Sequence, residues 1–327
     1  MSAAPARKQL VEVRVVLAGF GAVNKALARM LLEWEGRLRD EHRLVVRVVA
    51  ITTQRHGSVL ARGAGAYVDL EKALAMAEES GSHGLLDGRI VTRGGAASAL
   101  SCPHGLSIEE THDFLRAAAA EIYGRGNGAG DGSNSIVVGT GALIEAIPVS
   151  YADGEPAAGM LRCALASGLH AVSANKGPVV HHRAALKALA AQGRRMAPAS
   201  PGGGGPGPGG GGSGGCHAAA VSTAAAVAPL SYLHESAVMD GVPVFSLIER
   251  CLPLARLGSL RGCLNSTTTI VLSAMEVEGC TFAEALAKAQ ADGIAEADPS
   301  GDLEGMDAAV KLTALVRARC LSSKSNY

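Results

Sequence analysis

Residues 13–34 read VRVVLAGFGAVNKALARMLLEW. Val13 to Ala18 is a short β-branched run, Gly19-Phe20-Gly21 follows at once, and Val23, Leu27, Met30 and Leu31 then fall on one side of a helix. The order is strand, tight glycine turn, helix. Gly19 permits the turn, Gly21 lets the backbone approach a pyrophosphate, and the helix N-terminus favours negative charge there. A lone GxG also fits an ordinary βα turn. Its place at the chain start, between a buried strand and a helix, makes Gly19, Phe20, Gly21, Ala22 and Val23 candidate dinucleotide contacts. Asn24 stands where the fingerprint has its third glycine, which predicts looser packing of helix on strand.

Leu44–Ile51 (LVVRVVAI) is nearly continuous apolar sequence, as in a strand buried on both faces. It runs into Thr52-Thr53-Gln54-Arg55-His56 with no carboxylate to hold a ribose 2′-hydroxyl. Small hydroxyls such as Thr53, together with Arg55, favour NADP, with NAD as the other choice. Helical patterns follow at Leu70–Glu79 and Ser107–Tyr123, the latter opening with Ser107 and Glu110 at capping-box spacing. The glycine-rich GRGNGAGDGSN leads to a strand over Ser135–Val138, with the strand end placed at Gly139-Thr140-Gly141. A short helix near Ala157–Ser167, a strand at His170–Ser173, ANKGP at 174–178 and a helix from about His182 to Arg194 come next.

Alternating strands and helices at this spacing predict an α/β protein with a Rossmann-type, doubly wound parallel sheet over residues 1–150, then a second α/β domain over 151–327. Pro201–Gly215, with 11 glycines and three prolines, buries nothing, so a disordered Gly/Pro/Ala-rich insertion is expected at about 197–229. Beyond it, Pro243–Glu249 looks strand-like, Thr281–Gln290 is a helix with a Thr281–Glu284 capping box, and a last helix runs from Met306 to about Leu321. The chain then stops early for a substrate domain, which suggests truncation.

Composition narrows the function. The 327 residues allow two cores, and 48% apolar with 3% aromatic content requires Ala, Val and Leu to fill them. Thirty basic and thirty acidic side chains cancel, leaving no electrostatic footprint for nucleic acid or an anionic membrane. No apolar run nears the roughly 20 residues that span a bilayer. Seven scattered cysteines without a CxxC pair read as reduced intracellular thiols. The first strand arrives too soon for a signal or transit peptide, which points to the cytoplasm and leaves a plastid open.

Chemistry concentrates in GIAEADPSGDLEGMDAAVK at 293–311. Glu296, Asp298, Asp302, Glu304 and Asp307 crowd a loop whose Pro299, Gly301 and Gly305 forbid an early helix. A helix starting near Gly305 puts Asp307 and Lys311 on one face, four residues apart. An amine beside carboxylates suits binding an amino acid and moving a proton off its hydroxyl, whereas the run taken alone fits a solvated acidic loop.

GFGAV at 19–23, ANKGP at 174–178, HESAVMDGVPVFSL at 234–247, GCLNSTTTIVL at 262–272 and ALAKAQADGIAEADPSGDLEGMDAAVKL at 285–312 together resemble the homoserine dehydrogenase family. The resemblance implies a Rossmann domain followed by a domain that binds substrate and pairs two subunits as a homodimer. It implies reversible hydride transfer between NAD(P)H and aspartate 4-semialdehyde, giving homoserine, on the route to threonine, methionine and isoleucine. Carried over by motif, Lys311 and Lys176 flank the reacting carbon, with Asp307 one turn before Lys311 and Lys176 also near the cofactor. Glu296 holds the substrate ammonium, Asp302 lies in the same loop, Thr267 belongs to a turn near the substrate, and Thr140 neighbours the nicotinamide. The resemblance also implies a structural monovalent cation, Na⁺, around Glu235, Val238, Asp240 and Val242, held partly by backbone oxygens.

Two lysines at one site are expected to depress each other's pKa into the range useful for acid–base catalysis. Departures from the family pattern are Ser266 in place of glycine before Thr267, the glycines either side of Thr140, the insertion and the early stop. The His181-His182 pair has no third ligand in sequence, and no Cys–His pair marks an acylating enzyme. The early stop predicts no amino-acid-sensing domain and so no threonine feedback. It also motivates the alternative of an inactive or truncated dinucleotide-binding relative that only dimerises.

Overall fold

A computed structural model describes residues 10–79, 92–94, 98–102, 104–123, 136–193, 229–252, 254–255, 258–295 and 298–322. The elements begin with β1 (Leu10–Ala18), α1 (Ala22–Glu33), α2 (Glu35–His42), β2 (Leu44–Thr52), β3 (Ser58–Arg62) and β4 (Tyr67–Val68). Next come α3 (Leu70–Glu79), β5 (Thr92–Arg93), β6 (Ser98–Cys102), α4 (Ile108–Tyr123), β7 (Ile136–Glu145), α5 (Ala157–Ala166) and β8 (His170–Ser173). The chain continues with α6 (Lys176–Gln192), β9 (Tyr232–Leu233), α7 (Val244–Ser246), α8 (Ser266–Glu278), α9 (Phe282–Ala291), α10 (Ser300–Leu303) and α11 (Met306–Ser322).

The main sheet has the order β6-β3-β2-β1-β7-β8-β9. β1 and β2 run parallel, with a bulge between Val15 and Val16. Chain order reverses at β1, the switch point where an open α/β sheet leaves a crevice outside its strand ends. The doubly wound sheet carries an antiparallel edge: β3 is antiparallel to β2, and β6 to β3. A tight turn produces this. Thr53 Oγ1 donates to the Gly57 carbonyl at 2.8 Å and accepts from the His56 N–H at 2.8 Å, folding the chain straight back after β2.

The described chain divides into two compact units, Met1–Ile144 with Arg162–Ala171 and Leu189–Ser231, and Glu145–Leu161 with Val172–Ala188 and Tyr232–Tyr327. The first unit thus takes in two segments from beyond residue 150, Arg162–Ala171 and Leu189–Ser231. In the first unit, Val15 and Leu17 of β1 and Val48 and Ile51 of β2 pack with Val59, Ala28 and Leu74. Asn24 corrects an expectation. It is fully buried, and its Nδ2 donates to Ala18 O at 3.2 Å and Gly19 O at 2.7 Å. The side chain therefore ties α1 to the turn, where a glycine would only have allowed contact.

In the second unit, Val179 and Val180 of α6, Val238, Phe245, and Ala314, Leu315 and Ala318 of α11 form one core. The strand expected at Pro243–Glu249 is instead the short helix α7, followed by a wider helical turn over Leu247–Cys251. A strand would send Val244 and Phe245 to opposite faces. Here both pack on the same core with Ile248, and the Glu235 carboxylate accepts from Ser246 N–H and Oγ to hold the turn. The strand predicted at 135–138 runs on to Glu145, so Thr140 lies in mid-strand and not at the strand end. The helix expected from His182 starts at Lys176, because Asn175 Oδ1 accepts from Gly177 N–H at 3.1 Å and Pro178 is tolerated in a first turn. The acidic loop holds a single helical turn, α10, despite its glycines. The glycine-rich stretch at 197–229 lies outside the described residues apart from its last residue, Pro229. Among the described residues no helix is long and apolar enough to cross a membrane.

Candidate active site

Asp307 is the centre of a cluster in the second unit. Its carboxylate is buried, with Lys176 Nζ 2.9 Å from Oδ1 and Lys311 Nζ 2.7 Å from Oδ2. The helical spacing of Asp307 and Lys311 on α11 brings the second pair together, as the sequence predicts. Lys176 arrives from the first turn of α6, more than a hundred residues earlier in the chain. Lys311 Nζ also donates to the Leu264 carbonyl at 2.8 Å.

Asn265 completes the cluster and was not singled out from sequence. It caps α8, its Oδ1 accepting from Thr268 N–H at 2.8 Å. Its Nδ2 donates to Asp307 Oδ2 at 2.9 Å and to Asp302 Oδ1 at 2.7 Å. Thr267 Oγ1 donates to Asp302 Oδ2 at 2.6 Å. The structure therefore brings together Lys176, Lys311, Asp307, Asp302 and Thr267. Asp302 is turned inward as an acceptor that fastens the acidic loop to α8. Ser266, the departure from the family glycine, is exposed on the first turn of α8. The signal for Asn265 was present: an Asn followed by Ser-Thr-Thr and an apolar helix is an N-cap pattern.

The electrostatics correct one expectation. Burial alone would lower the Lys176 pKa, but the hydrogen bond and charge of Asp307 outweigh it and raise that pKa above its ordinary value. Burial likewise works against the charge of Asp307, yet hydrogen bonds from Lys311, Asn265 and Lys176 hold it below the usual carboxylate range. The two lysines share an acid that stands between them, so Lys176 is held as an ammonium, not depressed toward neutrality. The arrangement can stabilise negative charge developing on a substrate oxygen and hand it a proton.

In the first unit, Gly19 has φ 85° and its N–H donates to Thr52 O at 2.8 Å, the tight turn its sequence position calls for. A Cβ at Gly21 would meet no atom within 4 Å, which leaves room for a ligand against the backbone. The first turn of α1 carries no acidic side chain and no side-chain cap, so its N–H groups fit a pyrophosphate. Ala22 and Val23 are exposed beside them, whereas the Phe20 side chain is buried in the core and offers only its backbone. Thr53 spends its hydroxyl on the β2–β3 turn, and Arg55 is exposed at that turn's tip. Thr140 Oγ1 is buried without a hydrogen-bond partner.

The remaining candidates differ in fate. Glu296 lies outside the described residues. In the loop expected to hold a cation, Glu235 is engaged by Ser246, Val238 is fully buried, and Asp240 and Val242 are exposed. Met239 and Asp240 are both left-handed, at φ 63° and 49°, so the backbone there turns sharply. No group of three His, Cys, Asp or Glu suited to a metal occurs among the described residues. His181 and His182 instead meet the Tyr151 and Asp153 carbonyls, at 3.0 and 2.8 Å.

Residues 243–324 match the family model for homoserine dehydrogenase. The chain is 31% identical over 309 residues to the NAD(+)-dependent homoserine dehydrogenase of Pseudomonas canavaninivorans, covering 94% of this chain and 66% of that protein. It is 24% identical over 304 residues to the homoserine dehydrogenase of Methanocaldococcus jannaschii, covering 93% and 68%. A hyperthermophilic archaeal homoserine dehydrogenase in complex with NADPH shares the fold, with a TM-score of 0.57 and 22% identity over 94% of this chain and 70% of that one. The chain thus spans about two thirds of the length of these relatives.

Proposed function

This chain belongs to the homoserine dehydrogenase family, and from that membership and the lysine–aspartate cluster we propose that it interconverts L-homoserine and L-aspartate 4-semialdehyde with a nicotinamide dinucleotide. The observation that carries the reading is Asp307, buried between the Lys176 and Lys311 ammonium groups. When bound, the nicotinamide supplies or takes the hydride. In reduction, the carbonyl oxygen gains negative charge beside the two ammonium groups, and a lysine donates the proton that makes the hydroxyl. In oxidation, a lysine that has first released its own proton to solvent takes the hydroxyl proton, which is favoured as pH rises. Asp307 fixes both nitrogens, and Asn265 fixes Asp307, so little reorganisation accompanies the charge change.

We assign the dinucleotide to the turn Gly19–Val23, where the open face of Gly21 and the uncapped start of α1 suit a pyrophosphate. NADP is the preferred form, since residues 52–57 carry no carboxylate and expose Arg55. A hard monovalent cation suits the oxygen donors of the Glu235–Val242 loop, where Ser246 fixes the Glu235 carboxylate. Replacing Na⁺ by choline should lower the unfolding temperature if that assignment is right. The protein acts as a homodimer, which light scattering on the purified chain tests.

Purified protein should reduce NADP⁺ in a homoserine-dependent way, and more efficiently than NAD⁺. Lys311→Met should lower turnover by about 10²–10⁴ while leaving cofactor affinity in place. Cofactor binding without any homoserine-dependent turnover would favour an inactive, dimerising relative.

A further inference from the structure

Glu145 is a fully buried carboxyl side chain with no part in the chemistry above. It ends β7, and Ser173 ends the adjacent strand β8. Three donors converge on it. Ser173 Oγ meets Oε2 at 2.5 Å, Ile147 N–H reaches Oε1 at 2.9 Å, and Asn175 Nδ2 reaches Oε1 at 3.3 Å. The backbone joins in, with Ala174 N–H donating to Glu145 O at 3.0 Å.

Asn175 passes this anchorage on. Its Nδ2 also donates to Ile147 O at 3.2 Å, its own N–H donates to Ser173 Oγ at 3.1 Å, and its Oδ1 accepts from Gly177 N–H at 3.1 Å. Lys176 lies between Asn175 and Gly177. The far side is equally closed, since a Cβ on Gly177 would stand 2.6 Å from Ser150 O and 2.7 Å from Gly154 Cα. The backbone that carries Lys176 is therefore clamped from two directions.

A buried carboxyl is costly, and an apolar side chain of similar size would fill the same space at less expense. Packing does not account for it. We propose that Glu145 is a positioning residue for the dehydrogenase reaction, acting through Ser173 and Asn175 to fix the first turn of α6 so that Lys176 reaches Asp307. This rests on the reading of Lys176 as part of the reacting site. Burial raises the Glu145 pKa, and the hydrogen bonds of Ser173, Ile147 and Asn175 oppose it.

A double-mutant cycle with Lys176 tests the proposal. Glu145→Ala should lower kcat by about 10–10², with KM values for homoserine and NADP⁺ changing less than about threefold. In a Lys176→Met background the same change should cost less than about threefold, because its effect passes through that lysine. Glu145→Gln should recover most of the loss. Its carbonyl can accept from Ile147 and Asn175 while its amide faces the Ser173 oxygen, so this variant carries the comparison if the alanine form is poorly folded. An equal loss in both backgrounds, or unchanged kcat in Glu145→Ala, overturns the proposal.

Absence of homoserine-dependent turnover in the unmutated protein would instead sink the proposed function. The clamp is then read without turnover, by acetic anhydride labelling followed by mass spectrometry. Lys176 should label faster in Glu145→Ala than in the unmutated protein, measured against exposed Lys288. Equal rates would dismiss the clamp.

Discussion

Asp307 shows how one side chain sets the charge state of its neighbours. Its folded pKa is lowered from 3.8, so the stability its pairs contribute is present above that value and is lost as pH falls through the lower one. Lys176 is raised from 10.5, so its share is present below that value and is lost as pH rises through the higher one. The pair is intact across the whole neutral range. Asp307→Asn removes the group that holds Lys176 up and leaves the burial that pulls it down. In the reduction direction, where an ammonium must donate, the alkaline limb of the kcat profile should move to lower pH. Turnover should fall more than affinity for homoserine, because the carboxylate orients nitrogens that matter most as charge develops. An unmoved alkaline limb in the pH–rate profile of Asp307→Asn would show that the limb belongs to another group.

At the scale of the element, two helix caps with similar local chemistry should behave differently. Thr281 caps α9 in a full capping box with Glu284, on the exposed surface. Thr281→Ala should cost about 1 kcal/mol in unfolding free energy and leave kcat unchanged. Asn265 caps α8 and also donates to Asp302 and Asp307. Asn265→Ala should cost the same cap, remove a donor from the buried Asp307 and the half-buried Asp302, and lower kcat as well as stability, as paired denaturation and steady-state measurements will reveal. If kcat is unchanged, Asn265 only caps.

Such local signals were the legible part of the sequence. Both capping boxes, the run at Leu70–Glu79 and the four-residue spacing of Asp307 and Lys311 are periodic or adjacent in the chain, and the structure keeps them. Pro243–Glu249 misled because an apolar run of that length does not reveal whether both neighbours face one core. The 139–141 strand end misled because its glycines look like punctuation. Gly141 is instead needed in mid-strand, where a Cβ would stand 2.7 Å from Leu169 Cδ2. Glu145 with Ser173, and Asn265 with Asp302, stayed hidden because their partners are 28 and 37 residues away. Composition carries no trace of such pairings.

The whole molecule interrupts its second half with a long glycine-rich stretch, and the residues flanking it say what its removal should do. α6 ends at Gln192, and a Cβ placed on the next residue, Gly193, would stand 2.6 Å from Leu230 Cδ1. The two described ends of the segment therefore already touch. Closing a loop between neighbouring points needs only a short linker, and halving a flexible loop changes its closure cost by only about 0.6 kcal/mol. Pro201–Gly215, made of glycine, proline and one serine, has no apolar side chain larger than proline to contribute to either core. Its deletion leaves residues 194–200 and 216–228 to join those touching ends. The shortened protein should unfold within about 1 kcal/mol of the parent and keep its oligomeric state and kcat, measured side by side by denaturation, light scattering and homoserine-dependent NADP⁺ reduction. A large loss of stability or of assembly on deletion would mean that the glycine-rich stretch makes contacts of its own.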